Sequence, residues 1–183
     1  MIAIDSLKVL EKIVSRLGDS PINWVVTGSL GMALQGVPVE VHDIDIQTDK
    51  GGVYEIEKCL TEYVIKPVRY SKSERICSHL GLLNIDGVKV EIMGDIQKRL
   101  CDQSWEEPVN VEHYKRWIEV GGMRIPVLSL EYEYRAYLKL GRVEKAEMLR
   151  SWLQKNRSGL TNASNQQASP ADDANFVSPK KDE

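Results

Sequence analysis

Two aspartates one residue apart, Asp43 and Asp45 in His42-Asp43-Ile44-Asp45-Ile46, are the first side chains whose types and spacing could do chemistry. The pentapeptide alternates polar and apolar with the period of a strand, so both carboxylates project from one face while Ile44 and Ile46 project from the other. Aspartate is a poor strand former, and two like charges placed this close repel each other. A cation between them offsets that cost. Mg²⁺, which takes hard carboxylate oxygens and usually keeps some waters, is the chemical candidate. A solvated edge strand with two screened surface aspartates is the alternative.

Two further features sit near the pair in the chain. "INWVVTGS" is an apolar run that stops at Gly28-Ser29, and "SLGMALQG" is long enough for two helical turns. Gly28 lets backbone approach a ligand, while Ser29 and the amides that open the helix offer donors to an anion such as phosphate. Later, "VEIMGD" puts Glu91 between Val90 and Ile92 on another strand, where a third acid could complete a metal site. Phosphate donors and a two-metal cluster of acids on one small sheet point to phosphoryl or nucleotidyl transfer.

The elements that must position these residues follow from periodicity and punctuation. Leu7, Leu10, Ile13, Val14 and Leu17 are spaced as one face of a helix capped by Asp5 or Ser6, ended by Gly18 and Pro21. Ile22–Thr27 is predicted as a buried strand, His42–Ile46 as the strand of the aspartates, and Val53–Val64 as a helix. Asp86-Gly87 and Gly121-Gly122 each separate two strand-like runs, which predicts two hairpins. Ser129 caps a helix over Leu130–Leu140, and after Gly141 another ends near Gln154. Residues 156–183, rich in Ser, Asn, Asp and Ala, bury too little apolar surface to offset their chain entropy and are predicted to be disordered. The expectation is one α+β domain over residues 1–155, a small mixed sheet flanked by helices, with C-terminal helices and a disordered tail.

Gly28-Ser29, thirteen intervening residues, "DIDI" and the strand acid Glu91 together resemble the nucleotidyltransferase superfamily of DNA polymerase beta. The likeness is closest to its small stand-alone prokaryotic members, which include antibiotic nucleotidyltransferases and toxin or antitoxin enzymes. "GVPVEVHDIDI" resembles the segment leading into that family's aspartates, and "IPVLSLEYEYRAYLKLGR" its later strand and helix, so the likeness covers about residues 22–150. The resemblance implies that Asp43 and Asp45 ligate two Mg²⁺ ions bridging a nucleoside triphosphate such as ATP. Glu91 would complete the second metal site and assist deprotonation of an acceptor hydroxyl, with Gly28 and Ser29 holding the β- and γ-phosphates. The acceptor oxygen would attack the α-phosphate and pyrophosphate would leave.

The chain departs from that pattern outside the acids. Small members often carry arginine four residues before the first aspartate and threonine or serine two before it; here these are Val39 and Val41. A lysine common in the later helix is Tyr137, and the Lys-Asp that often follows Gly-Arg is replaced by Glu144-Lys145. A degenerate member that binds nucleotide or a partner without catalysis, or a toxin–antitoxin component, is therefore the alternative reading. The acceptor could be a small molecule, a protein side chain or a tRNA end. With little chain beyond the core, a homodimer or a partner protein would supply the acceptor-binding surface.

Composition excludes several classes. The 183 residues are 42% hydrophobic and 28% charged, as in an ordinary globular protein, and a formal net charge of -3 argues against a general nucleic-acid binder. Cys59, Cys77 and Cys101 are odd in number and scattered, which fits free thiols in a reducing compartment. No run approaches the roughly 20 apolar residues of a membrane span, and the N-terminus has no basic leader region, so a cytoplasmic location is expected.

Among the other charged residues, Arg69 is a candidate cation for the triphosphate, while Lys66 reads as solvated surface. Arg135, Lys139 and Arg142 share one helical face that could meet phosphate, or that is an ordinary salt-bridged face with Glu131. His42 alternates away from the acids and is expected to be packed or at an edge; His79 and His113 lack partners at ligand spacing. Tyr132, Tyr134 and Tyr137 could stack on a base, although the last two have core spacing. Trp24 reads as core, and Trp152 as the packing of the last helix.

Overall fold

The apolar face of the first helix decides which side of the sheet becomes the core. α1 (Ile4–Leu17) buries Val9, Leu10, Ile13 and Leu17 to within 1% of complete exclusion from solvent. Each such side chain contributes about 1.5–3 kcal/mol by leaving water. The structure is a computed structural model that describes residues 2–18, 20–100 and 102–164, with side chains to 156. α1 starts before its expected caps, Asp5 or Ser6: Ala3 is the N-cap and makes no side-chain cap bond.

The chain continues through β1 (Val25–Thr27), α2 (Gly28–Leu34), β2 (Ile44–Thr48), α3 (Lys50–Cys59), β3 (Val64–Lys72), β4 (Ile76–Ile85) and β5 (Val88–Lys98). β6 (Lys115–Val120), β7 (Met123–Leu128), α4 (Leu130–Lys139) and α5 (Val143–Ser164) complete it. The seven strands form one mixed sheet in the order β3-β4-β5-β2-β1-β7-β6. β2 runs parallel to β5 and β1 parallel to β7, and the other neighbours are antiparallel. This is the α+β arrangement, with a mixed sheet flanked by helices, that the sequence leads one to expect.

Both hairpins form where expected. Asp86 and Gly87 take positive φ (51° and 85°) between Ile85 and Val88, as do Gly121 and Gly122 between Val120 and Met123. A tight two-residue turn of this kind requires positive φ at both positions. Other boundaries differ. β1 begins at Val25, not Ile22, and the strand of the aspartates runs over Ile44–Thr48, so Asp43 stands on a bend just before it. α3 starts earlier than Val53 because the Asp49 carboxylate accepts from the Gly52 amide at 2.6 Å, and its last expected turn is instead a 3-10 turn and the start of β3. Ser129 does cap α4, accepting from Tyr132. α5 continues past residue 155 to Ser164; the expectation of disorder over 165–183 lies outside the described residues.

α1 and α3 cover one face of the sheet, burying Ile44 and Ile46 of β2 with Val90 and Ile92 of β5. A second cluster on the opposite face joins Met32 and Val37 to Leu130 and Tyr137 of α4 and to Ala146 and Leu149 of α5. Trp24 is core, and Trp152 packs against the second cluster. Cys59 and Cys77 are free thiols, and Cys101 lies outside the described residues. Among the described residues, no helix is long and apolar enough to cross a membrane. α3 reaches the sheet so closely that a Cβ at Gly94 would lie 2.7 Å from both the Asp49 carbonyl oxygen and Val53 Cγ1. Gly94→Ala is therefore expected to cost about 1–3 kcal/mol, read as a lower midpoint in urea unfolding. An unchanged midpoint would show that α3 shifts freely.

Candidate active site

The face of the sheet left free by α1 and α3 is the floor of a cleft of about 770 Å³. Asp43, Asp45 and Glu91 line it together with Gly28 and Ser29, so five of the residues singled out from the sequence meet in one place. Strand register explains the meeting. Asp45 pairs with Thr27 across β1 and with Glu91 across β5, which sets two carboxylates on neighbouring strands beside the end of β1. Asp43 reaches the same cleft from its bend.

Gly28 has φ +67°, and a Cβ there would collide with the Asp45 carboxylate, so both the turn and the close approach require glycine. The turn is held from α4 by Glu133, a buried acid that sequence reasoning missed. Its carboxylate accepts from the Gly28 amide at 2.9 Å and from the Thr27 hydroxyl. A signal was present: Glu133 stands among Leu130, Ala136 and Tyr137 on the apolar face of α4, where an acid needs a dedicated partner.

The acids are held by charge as well as by register. Burial, followed by the charges of Asp43, Glu91 and Glu133, pushes the Asp45 carboxyl up to about 7, with Lys89 pulling the other way. Lys89 Nζ lies 2.5 Å from Glu91 Oε1 and 3.3 Å from Asp43 Oδ2. Its own proton affinity is raised, first through the hydrogen bond to Glu91. Lys89 was also missed, although it stands two residues before Glu91 on the same strand face. With the ammonium lying between Asp43 and Glu91, no three His, Cys, Asp or Glu side chains among the described residues close around one point as ion ligands do. The donor set still fits Mg²⁺: hard carboxylate oxygens, those of Asp45 with a proton affinity raised by burial and then by the neighbouring acids.

Other expected residues lie elsewhere. Arg69 is exposed on β3 and lines a neighbouring hollow with Lys66, Lys89 and Glu91, apart from Gly28 and Ser29. His42 precedes β2, so strand alternation does not govern it. It is exposed, lines the cleft, and lies 3.8 Å from Glu40. Arg135, Lys139 and Arg142 do not form one helical face, because α4 ends at Lys139 and Gly141 turns the chain with φ +70°. Arg135 lies over the Tyr114 ring, Lys139 pairs with Glu106 at 2.6 Å, and Arg142 lies over Tyr137 in the cleft wall.

A seven-stranded mixed sheet with α1 and α3 behind it and an acid-lined cleft in front defines a nucleotidyltransferase-like protein. The model of the aminoglycoside-2''-adenylyltransferase family matches residues 9–151, and the chain belongs to that family within the nucleotidyltransferase superfamily. It is 66% identical to a Thermotoga maritima protein of known crystal structure proposed to be a nucleotidyltransferase, covering 85% of this chain and 96% of that one, with a TM-score of 0.75. ANT(2'')-Ia, solved with adenylyl-2''-tobramycin, shares the fold at 12% identity and a TM-score of 0.55, covering 88% and 97% of the two chains. The lincosamide adenylyltransferase LnuA, solved with lincomycin, does so at 13% and 0.50, covering 82% and 98%. No curated protein matches.

A carboxyl whose proton affinity is raised by folding makes stability fall as pH rises. The unfolded chain releases this proton near pH 4, whereas folded Asp45 holds it to about 7. Across that window the metal-free protein is expected to lose up to about 4 kcal/mol. Asp45→Asn should melt above wild type at pH 8 in chelator, with the gap closing as pH falls towards 4. Equal melting temperatures at pH 8 would contradict this charge balance.

Proposed function

We propose that the protein is a Mg²⁺-dependent nucleotidyltransferase that moves a nucleoside monophosphate, with ATP as donor, to a hydroxyl of a small-molecule acceptor and releases pyrophosphate. The observation that carries this reading is the convergence of Asp43, Asp45 and Glu91 on the Gly28 turn in one cleft. Family membership supports nucleotidyl transfer, and the antibiotics in the structures of ANT(2'')-Ia and LnuA support a small hydroxyl-bearing acceptor.

In this reading Asp43, Asp45 and Glu91 hold Mg²⁺, which when bound offsets the charge of the phosphates and of the attacking and leaving oxygens. Glu91, set one strand from Asp45, takes the proton of the acceptor hydroxyl. Ser29 holds the β- and γ-phosphates where Gly28 lets the backbone come close, and Glu133 keeps that turn in place by occupying the Gly28 amide and the Thr27 hydroxyl. Lys89, which pairs with Asp43 and Glu91, would give up those contacts for the two carboxylates to hold the ion.

A second reading, binding without catalysis, rests on Lys89, whose ammonium already pairs with two of the acids. Calorimetric titration of each NTP with Mg²⁺ into wild type and into the Asp43→Asn/Asp45→Asn double variant separates the two. Wild type is expected to bind an NTP only with Mg²⁺, and the variant to bind it at least tenfold more weakly, about 1.4 kcal/mol. Binding that is independent of both metal and aspartates would favour the second reading.

A further inference from the structure

Two lysines of β5 reach the neighbourhood of the acids, and only one of them is free to act there. The strand changes parity at a bulge: Cys77 pairs with Gln97 but His79 pairs with Gly94, and Asp95, between Gly94 and Gln97, has φ 50°. Before the bulge Glu91 and Met93 face the cleft; after it Ile96 and Lys98 do. Lys98 is committed where it stands, its Nζ donating to Glu106 Oε1 at 3.0 Å and to the Tyr132 hydroxyl oxygen at 2.9 Å. Lys89 is the lysine that meets the acids, with Nζ 2.5 Å from Glu91 Oε1 and 3.3 Å from Asp43 Oδ2.

Lys89 comes from outside the cleft. Asp43, Asp45 and Glu91 line the cleft, whereas Lys89 lines the neighbouring hollow, which it shares with Glu91. An ammonium so placed either stands behind the acids and stays when an ion binds, or stands in the ion's own place and must leave. The geometry favours the second. Asp43 and Glu91 share the one cation, while Asp45 feels Lys89 only through its charge. Among the described residues the three acids accordingly do not close around one point. Closing them needs Asp43 and Glu91 to turn from the ammonium towards Asp45. The Lys89 side chain is 48% exposed and both partners 27%, so the pairing is open enough to water to be exchanged. Lys66 and Arg69 are the other charged side chains that line the hollow with Glu91. A Lys89 that lets go is left beside two like charges, and their repulsion favours its return to the acids. The exchange swaps one cation for another: the hydrogen bond to Glu91 raises the proton affinity of Lys89 and keeps it charged.

We propose that Lys89 is a resident competitor for the metal place: its ammonium holds Asp43 and Glu91 in the metal-free protein, and a divalent ion binds only by displacing it. Lys89 thereby lowers the affinity of the cleft for a free ion while stabilising the protein that has none. The proposal rests on the three acids being the ion's ligands, and not on the transfer of a nucleotide.

The test uses the whole protein without nucleotide, as wild type, Lys89→Met and Lys89→Arg. Mg²⁺ and Mn²⁺ are titrated by calorimetry, and melting temperatures are compared in chelator and in saturating Mg²⁺. Lys89→Met is expected to bind the ions at least tenfold more tightly than wild type, about 1.4 kcal/mol, and Lys89→Arg no more tightly than wild type. In chelator Lys89→Met should melt below wild type, and Mg²⁺ should close the gap. A lysine with a merely structural role would lower the melting temperature equally in both conditions and leave ion affinity unchanged. A second measurement needs no variant and decides the matter if Lys89→Met fails to fold. Wild type is acetylated with an N-hydroxysuccinimide ester in chelator and in Mg²⁺, and labelling of each lysine is read by peptide mass spectrometry. An ammonium released from two carboxylates loses its proton more readily, so Lys89 should label faster in Mg²⁺ while Lys66 does not. Ion affinity in Lys89→Met equal to or below that of wild type overturns the proposal, as does Lys89 labelling that ignores an ion shown by calorimetry to be bound. A wild type that exchanges Lys89 for Mg²⁺ yet binds NTP independently of metal and aspartates would keep this proposal and sink the transfer reading.

Discussion

The parallel pairing of β2 with β5 is the constraint on which the site depends. It sets Asp45 beside Glu91, an arrangement that electrostatics alone opposes, and the opposition is carried by the core behind it. Ile44, Ile46, Val90 and Ile92 are all buried on the far face under α1 and α3. A slip of one residue in β2 would turn Ile44 and Ile46 out of that core and bring Asp45 into it. Hydrophobic burial thus holds two carboxylates together that would otherwise separate, and burial of Asp45 together with its acidic neighbours raises its proton affinity. Such coupling of a stable core to an unfavourable site is how folds keep functional groups poised.

α4 links the rest of the chain to that arrangement. From consecutive positions it offers Tyr132 to Lys98 and Glu133 to the Gly28 turn. Its apolar residues join α2 and α5 in the second cluster. The Gly28 turn and the floor of the cleft are therefore set by one helix, and packing in the C-terminal region bears directly on both.

How much of this the sequence made legible varies with the physics involved. Turn chemistry was clear, because positive φ at Asp86-Gly87 and Gly121-Gly122 is demanded locally. The acids and Gly28 were legible from type and spacing. Element ends were not: the Asp49 cap moved α3 forward, and the Asp43 bend broke the alternation on which His42 was judged. Lys98 was hidden for a related reason, since its orientation follows from a register shift that a period of two cannot foresee. Glu133 and Lys89 acquire their roles through partners more than 40 residues away in the chain, or beside an acid whose own place was known only after folding. Arg69 was placed by its charge alone, and its strand faces a neighbouring hollow.

The bulge in β5 makes one strand speak with two parities. Odd-numbered residues before Asp95 and even-numbered residues after it address the same cleft, so the two stretches can vary under separate constraints. Straightening the strand with every residue kept would exchange Lys98 for Gln97 at the cleft wall, whereas deleting Asp95 would straighten it with Lys98 still there. The bulge is thus a length device: it absorbs one extra residue so that both halves of β5 keep their side chains in one cleft.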